Sequence, residues 1–306
     1  GIHGTKIQNY TSDPDNPLTG QVWYNETANT LKYFYINPGS WATGGSLNTA
    51  RSALAGAGTQ TAALAFGGSP GVAITEKYNG SAWTEVNDMN TARYRLAGVG
   101  TQTAALVFGG FIPPSTAATE TWNGTNWTAV NSMNTARHFL AGAGTNTAAL
   151  AFGGESPITA ITELWNGTNW AEVNDLNTAR FQLAGCGTQT AALGFGGYSG
   201  PITANTETWN GTNWTEVNNL NTARQGLAGA GTNTAALAFG GTPPTTGATE
   251  SWNGTNWTEV GDLGTARYTL AGAGTNTAAL GFGGYSTTAA TEEWNSGPAT
   301  VTITTD

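Results

Sequence analysis

Charge is scarce in this chain. Asp, Glu, Lys and Arg together make up 9% of its 306 residues, against about 25% in ordinary globular domains. The balance is acidic, with a formal net charge of -9, which argues against nucleic acid or an anionic membrane surface as partners, because both need a basic face. Cysteine occurs once, at Cys186, so no disulfide can form within the chain, and a single buried thiol is expected to be inert core. Histidine occurs twice, at His3 and His138, which limits a His-based metal site to two such ligands. No metal or other cofactor is expected. No apolar run approaches the ~18–20 residues of a membrane helix. The start, Gly1-Ile2-His3-Gly4, has neither the charged end nor the apolar core of a signal peptide.

Small residues and aromatics are abundant instead: 44 Gly, 12 Trp, 10 Phe and 9 Tyr. They are arranged with a period. Asn/Gly-Thr-Ala-Arg returns six times, ending at Arg51, Arg93, Arg137, Arg180, Arg224 and Arg267, with gaps of 42 to 44 residues. A period of that length signals a repeat architecture.

The copy beginning at Arg137 reads as four short strands, a to d. Leu140 to Gly144 alternates Ala and Gly, so strand a has almost no side chain on either face. Glycine in a strand marks close approach by neighbouring backbone, which fits the innermost strand of a ring. Ala148 to Phe152 is apolar throughout, as a strand buried on both faces should be. Trp165 and Trp170 sit on strands c and d, joined by Asn166-Gly167, a favoured hairpin dipeptide. Four short strands per repeat predict an all-β propeller with four-stranded antiparallel blades.

The phased features resemble the kelch motif. A Gly pair closes strand b (Gly67-Gly68, Gly109-Gly110, Gly153-Gly154, Gly196-Gly197, Gly240-Gly241, Gly283-Gly284). An aromatic follows on strand c (Tyr78, Trp122, Trp165, Trp209, Trp252, Trp294), and strand d carries Trp41, Trp83, Trp127, Trp170, Trp214 or Trp257. The resemblance covers about residues 37–297 and implies fold more than function, since kelch propellers bind proteins and sugars and occasionally host enzymes. The copper-binding kelch oxidases need several His and a Cys–Tyr cross-link that this chain cannot assemble.

Blade number can be read two ways. Residues 37–297 supply six of each strand, with the Trp41 strand completing the blade of Trp294. Yet Gln21 to Tyr24, Leu31 to Tyr35 and Ala299 to Thr304 also read as strands, and Thr5 to Tyr10 could serve as a degenerate strand a. Seven blades would use the whole chain as one propeller domain, and that reading is preferred. Residues 1–46 would then be a degenerate N-terminal blade (or ring-closing strands), 47–297 the repeats and 298–306 a C-terminal strand. The segment from Gly4 to Phe34, with Ser12-Asp-Pro-Asp-Asn-Pro17 and Gly20-Gln-Val-Trp-Tyr-Asn25, also looks like segments of tail-fibre-like virion proteins of marine bacteriophages. That resemblance implies a virion or extracellular-surface location, with other virion proteins among the possible partners.

Each arginine has a glutamate in phase: Glu76, Glu120, Glu163, Glu207, Glu250 and Glu292. A repeated Arg–carboxylate clamp inside each blade explains both sets better than a ring of ligand-binding arginines. Asn123, Asn166, Asn210 and Asn253 open Asn-Gly-Thr triplets that match the glycosylation acceptor pattern, but hairpin geometry alone accounts for all four. No Ser/His/Asp or Cys/His grouping repeats, so no catalytic residue is expected.

The copies differ in two places. The b–c loops diverge, and so does the pair that follows each arginine: Ser52-Ala53, Tyr94-Arg95, His138-Phe139, Phe181-Gln182, Gln225-Gly226 and Tyr268-Thr269. In an antiparallel a-b-c-d blade both regions lie on one face, around the mouth of the central channel. The varied positions are rich in aromatics, which serve as rigid anchors for sugars or proteins. The candidate ligand-binding residues are Tyr94, Arg95, Phe111, His138, Phe139, Phe181, Gln182, Tyr198, Gln225, Tyr268 and Tyr285. The expectation is a non-enzymatic module binding a glycan or protein receptor on a cell surface. A purely structural virion protein is the alternative, and a polysaccharide-acting enzyme the third reading.

Overall fold

A computed structural model describes residues 7–303. It is a six-bladed, all-β propeller. Blade 3 shows the plan: strands a to d are Ala141–Gly144, Ala149–Phe152, Thr162–Trp165 and Trp170–Val173, paired antiparallel in that order. Four further sheets repeat it. In the sixth, Ala271–Gly274 and Ala278–Phe282 are followed by the long strand Thr291–Ile303, and strand d comes from the end of Thr30–Thr43. Trp294 pairs there with Trp41, which closes the ring. No helix among the described residues is long and apolar enough to cross a membrane.

The preference for seven blades is therefore corrected to six. All four extra segments contribute strand residues, but they build no blade. In the other five blades strands c and d turn back at a tight hairpin. In the sixth they run on past that point as a ladder from Asn37–Gly297 to Leu31–Ile303, after a register shift at Asn295/Gly297. Val22–Asn25 adds antiparallel to this ladder and Gln8–Tyr10 adds parallel to Val22–Asn25. The product is a tab projecting from the c–d hairpin side. A seventh blade would need its own Ala/Gly strand and Arg–Glu pair, and this segment has neither. Within the tab, Asp13 accepts from Trp23 Nε1 at 3.0 Å, Asn25 Nδ2 at 2.7 Å and Lys32 Nζ at 2.7 Å. These bonds hold its carboxyl down at about 2. Residues 5, 6 and 304, which the seven-blade reading used, lie outside the described residues, as does His3.

Neighbouring blades interlock through one aromatic device. The strand-b Phe of each blade inserts between the strand-a Gly and the strand-d Trp of the next. Phe108, for example, lies 5.0 Å from Trp170 between ring centroids, and a Cβ added at Gly142 would sit 2.7 Å from its Cζ. The same contacts join Phe239 to Trp41 and Phe282 to Trp83, so the ring is continuous. Each of these tryptophans also donates its indole N–H to the strand-c Thr of the preceding blade, as Trp170 does to Thr119 at 3.1 Å and Trp41 to Thr249 at 3.0 Å. Strand-a glycine is thus required by a lateral neighbour, the preceding blade's phenyl ring.

The six arginines all meet their glutamates, at 2.8, 3.1, 2.5, 3.1, 2.5 and 3.1 Å from Arg51–Glu76 to Arg267–Glu292. All twelve residues are buried. The second carboxylate oxygen is taken by the segment entering the blade: Asn134 donates to Glu163 through its backbone N–H at 2.7 Å and its side chain at 2.9 Å. In the sixth blade Gly264 replaces this Asn and donates by backbone alone; nothing in the structure explains the exchange. Burial draws the guanidinium of Arg137 below its usual range and Glu163 pulls it back. Cys186 lines the channel side of strand a, buried, and its thiol is pushed up to about 12 by burial. It is a small core residue at a position where other blades use Ala or Val.

Two outcomes are expected. Gly142→Ala should lose about 1–3 kcal/mol through overpacking against Phe108, read by chemical denaturation, and Phe108→Leu should restore part of that loss. Arg137→Met alone should cost about 3–5 kcal/mol, whereas Arg137→Met with Glu163→Leu should recover most of it, because a lone buried charge costs more than a missing pair.

Candidate functional site

The b–c and d–a connections meet on the face opposite the tab. The first residue after each arginine pairs by an isolated bridge with the first residue of the same blade's b–c loop: Ser52 with Ser69, Tyr94 with Phe111, His138 with Glu155, Phe181 with Tyr198, Gln225 with Thr242, and Tyr268 with Tyr285. The second residue turns to the axis. Ala53, Arg95, Phe139, Gln182, Gly226 and Thr269 form a closed cycle in which each backbone N–H donates to the carbonyl of the preceding blade's residue. The distances are 2.8 Å for Ala53 to Thr269, Arg95 to Ala53 and Phe139 to Arg95. They are 2.9, 2.8 and 2.6 Å for Gln182 to Phe139, Gly226 to Gln182 and Thr269 to Gly226. These residues ring a cavity of about 120 Å³ at the channel mouth.

All six ring residues have positive φ, from 49° at Thr269 to 64° at Gly226. Only one is glycine. An L-residue in the left-handed region costs about 1–2 kcal/mol, and a β-branched residue such as Thr269 is a true outlier there. Since backbone groups alone make the ring, glycine would serve at every position, as Gly226 does. For Arg95, cation–π contacts worth about 0.5–2 kcal/mol offset the strain. None of its three contacts of this kind is shared by Gln182 or Thr269, which keep their side chains against a backbone preference.

The face is not uniform. The sequence-selected residues of blades 2 to 4 form one connected arc, with ring centroids 5.6 Å apart for Tyr94–Phe111, 5.0 Å for Phe111–His138, 5.4 Å for His138–Phe139, 6.2 Å for Phe139–Phe181 and 5.4 Å for Phe181–Tyr198. Tyr268 and Tyr285 form a separate pair on blade 6 at 4.9 Å, and Tyr285 is the more exposed, at 53%. Gln225 lies on blade 5, apart from both groups. Blade 1 contributes only Ser52, Ala53 and Ser69.

Sequence reasoning missed Ser115 and Glu155. Ser115 Oγ lies 2.9 Å from His138 Nδ1, and Glu155 Oε2 lies 3.4 Å from Nε2. Burial lowers the His138 pKa, with Glu155 raising and Arg95 lowering it in turn, so the imidazole is neutral at pH 7. Placing its proton on Nε2, toward Glu155, leaves Nδ1 to accept from the Ser115 hydroxyl. This hydroxyl–imidazole–carboxylate line has the composition that acyl transfer uses. It comes from three separate segments and occurs once, so a search for repeating groups could not find it. Among the described residues no cluster of three His, Cys, Asp or Glu side chains could hold a metal ion.

The geometry defines a class: a closed six-bladed propeller with a rigid backbone frame and varied side chains on one face. In comparisons with known proteins, no family model and no curated protein matches the chain.

The lowered His138 pKa predicts a sign. The folded state binds this proton less readily than the unfolded chain, so stability is full above the ordinary value near 6.5 and is lost as pH falls below it. Thermal melts between about pH 7.5 and pH 5 should show that loss, and His138→Gln should flatten it.

Proposed function

We propose that this chain is a non-enzymatic recognition propeller that binds a glycan or protein receptor through its b–c and d–a face. The observation that carries the reading is the left-handed ring: Phe139, Gln182 and Thr269 hold strained conformations where glycine would suffice, and strain of this kind collects at ligand-binding positions. The aromatic arc supports it, because half-buried rings in a row offer stacking surface with little rotamer entropy to lose. Glycan is preferred over protein, since the flanking groups (Ser115, Gln182, Gln225 and the tyrosine hydroxyls) suit hydroxyl-rich ligands.

The phased Gly pairs and aromatics favour a kelch-type propeller, and the N-terminal resemblance to phage tail-fibre-like segments favours a virion-surface location. The tab fits the same picture. It leaves the propeller on the side away from the variable face, and Ile7, Leu18, Val22, Ile36 and Ile303 are exposed there. Other virion proteins would attach at that side while the varied face points outward.

The Ser115–His138–Glu155 line favours a second reading, an esterase acting on acyl groups of the bound glycan. Ser115 Oγ would attack the acyl carbonyl, passing its proton through His138 Nδ1 to the departing sugar oxygen, and water would then release the acid. The 3.4 Å carboxylate contact exceeds the 2.6–3.2 Å of a working base–orienter pair. Recognition is therefore the better reading.

The test replaces the ring side chains by glycine. Relief of left-handed strain and greater freedom of the unfolded chain nearly offset each other, so Phe139→Gly/Gln182→Gly/Thr269→Gly should melt within a few degrees of the parent, or above it. Binding on a glycan array or to receptor-bearing cells should disappear. Binding that persists unchanged would sink the proposal.

A further inference from the structure

Seven arginines occur in the chain. Six are buried in the clamps. The seventh, Arg95, has no carboxylate within ion-pair distance among the described residues. It stands at the channel mouth, in the ring of left-handed residues, with φ 58°. Its guanidinium lies over three rings, 4.6 Å from the centroid of Phe139, 5.1 Å from Tyr94 and 5.5 Å from Phe111. Among the described residues the Arg95 side chain makes no hydrogen bond and no ion pair. Its N–H groups, which form the fork that grips a carboxylate by two parallel hydrogen bonds, are therefore not consumed within the chain.

We propose that the ligand carries a carboxylate, as the uronate or sialate unit of an acidic glycan does, and that this group binds Arg95 while the pyranose ring packs on Phe139 and reaches Gln182. The inference rests on the glycan reading above and adds the chemical class. Filling the space among these three rings does not itself need a charge, since a fourth aromatic or a methionine would do so without the cost of desolvating a cation. The acidic net charge is no obstacle. The six buried Arg–Glu pairs cancel internally, so the net charge of -9 resides on the other groups. Charges on the outer strands are screened beyond about 8 Å at physiological salt. On this face Glu155 is turned to His138 at 3.4 Å.

The experiment uses the intact chain on an array of sialylated, uronate-containing and sulfated glycans, each spotted beside its neutral or carboxyl-reduced parent. Hits are then measured by calorimetry, for instance 3′-sialyllactose against lactose and an oligogalacturonate against its reduced form. The carboxylated member should bind at least about tenfold tighter, with an affinity that falls as salt rises. Arg95→Gln should erase that preference while leaving the neutral member within about twofold, with the melting temperature lowered by at most a few degrees through the lost cation–π contacts. Equal binding of both members, or a preference that survives Arg95→Gln, overturns the carboxylate assignment and leaves the recognition face standing. A response to sulfated glycans alone also overturns it. Failure of every glycan to bind removes this inference and the glycan reading together.

Discussion

The arginine that ends each Asn/Gly-Thr-Ala-Arg repeat is the joint on which the propeller depends, because it is used twice. Its side chain turns into its own blade to meet the strand-c glutamate, as Arg137 meets Glu163. Its backbone carbonyl turns the other way and accepts from the second glycine of the preceding blade: Gly110 donates to Arg137 and Gly284 to Arg51, both at 3.0 Å. One residue therefore ties a blade together and ties it to its neighbour. The Gly pair is fixed by the same contact. A Cβ at Gly109 would lie 2.7 Å from the Arg137 carbonyl oxygen, and both glycines take positive φ. The charge pair, the double glycine and the register of the following two residues are one requirement seen from three sides.

That requirement separates scaffold from surface. The bridge between the residue after the arginine and the b–c loop, and the hydrogen-bonded ring inside it, are made by peptide groups alone. Side chains at those positions can change without disturbing the frame. The a–b and c–d turns are different, because their side chains bond to backbone: Asn166 Oδ1 accepts from the N–H groups of Thr168 and Asn169. Gln189 of another blade's a–b turn donates to the carbonyl of Trp165. Asymmetry of sequence between the two faces follows from asymmetry in who makes the bonds. The concentration of aromatics on blades 2 to 4 does not follow from it.

Much of the fold was legible because repetition exposes its own rules. The Ala/Gly strand, the apolar strand, the paired aromatics and the phased Arg and Glu each mark one strand or joint, and the structure shows each in its expected strand. The blade count was misread because β-propensity reports that a segment is extended and not what it pairs with. Val22–Asn25 and the end of Thr291–Ile303 are strands, but only the absence of a seventh Ala/Gly strand argued against a seventh blade. On the variable face, membership was readable from divergence among copies, whereas the left-handed ring was not. Its signature is glycine at a fixed position, and glycine occurs there once, at Gly226. The Ser115–His138–Glu155 line was invisible for the opposite reason: it joins three loops that only the packing of blade 2 against blade 3 brings together.

The closing blade has a consequence for the order in which this protein can fold. Strand d of blade 6 is supplied by Ser40 to Thr43, near the beginning of the chain, and its partner from Thr291 onward comes some 250 residues later. Until that partner exists, Trp41 has neither the Trp294 strand beside it nor the Phe239 ring beneath it. During synthesis the five internal blades can assemble on one another as they appear, in a growing arc with two open ends. The arc becomes a ring in a single late step, when the first aromatic strand is handed to the last repeat. Only then does the six-membered cycle of peptide hydrogen bonds at the channel mouth have all its members. The complete backbone ring at the channel mouth is thus the last part of the molecule to come into being, after the aromatic arc that blades 2 to 4 already carry.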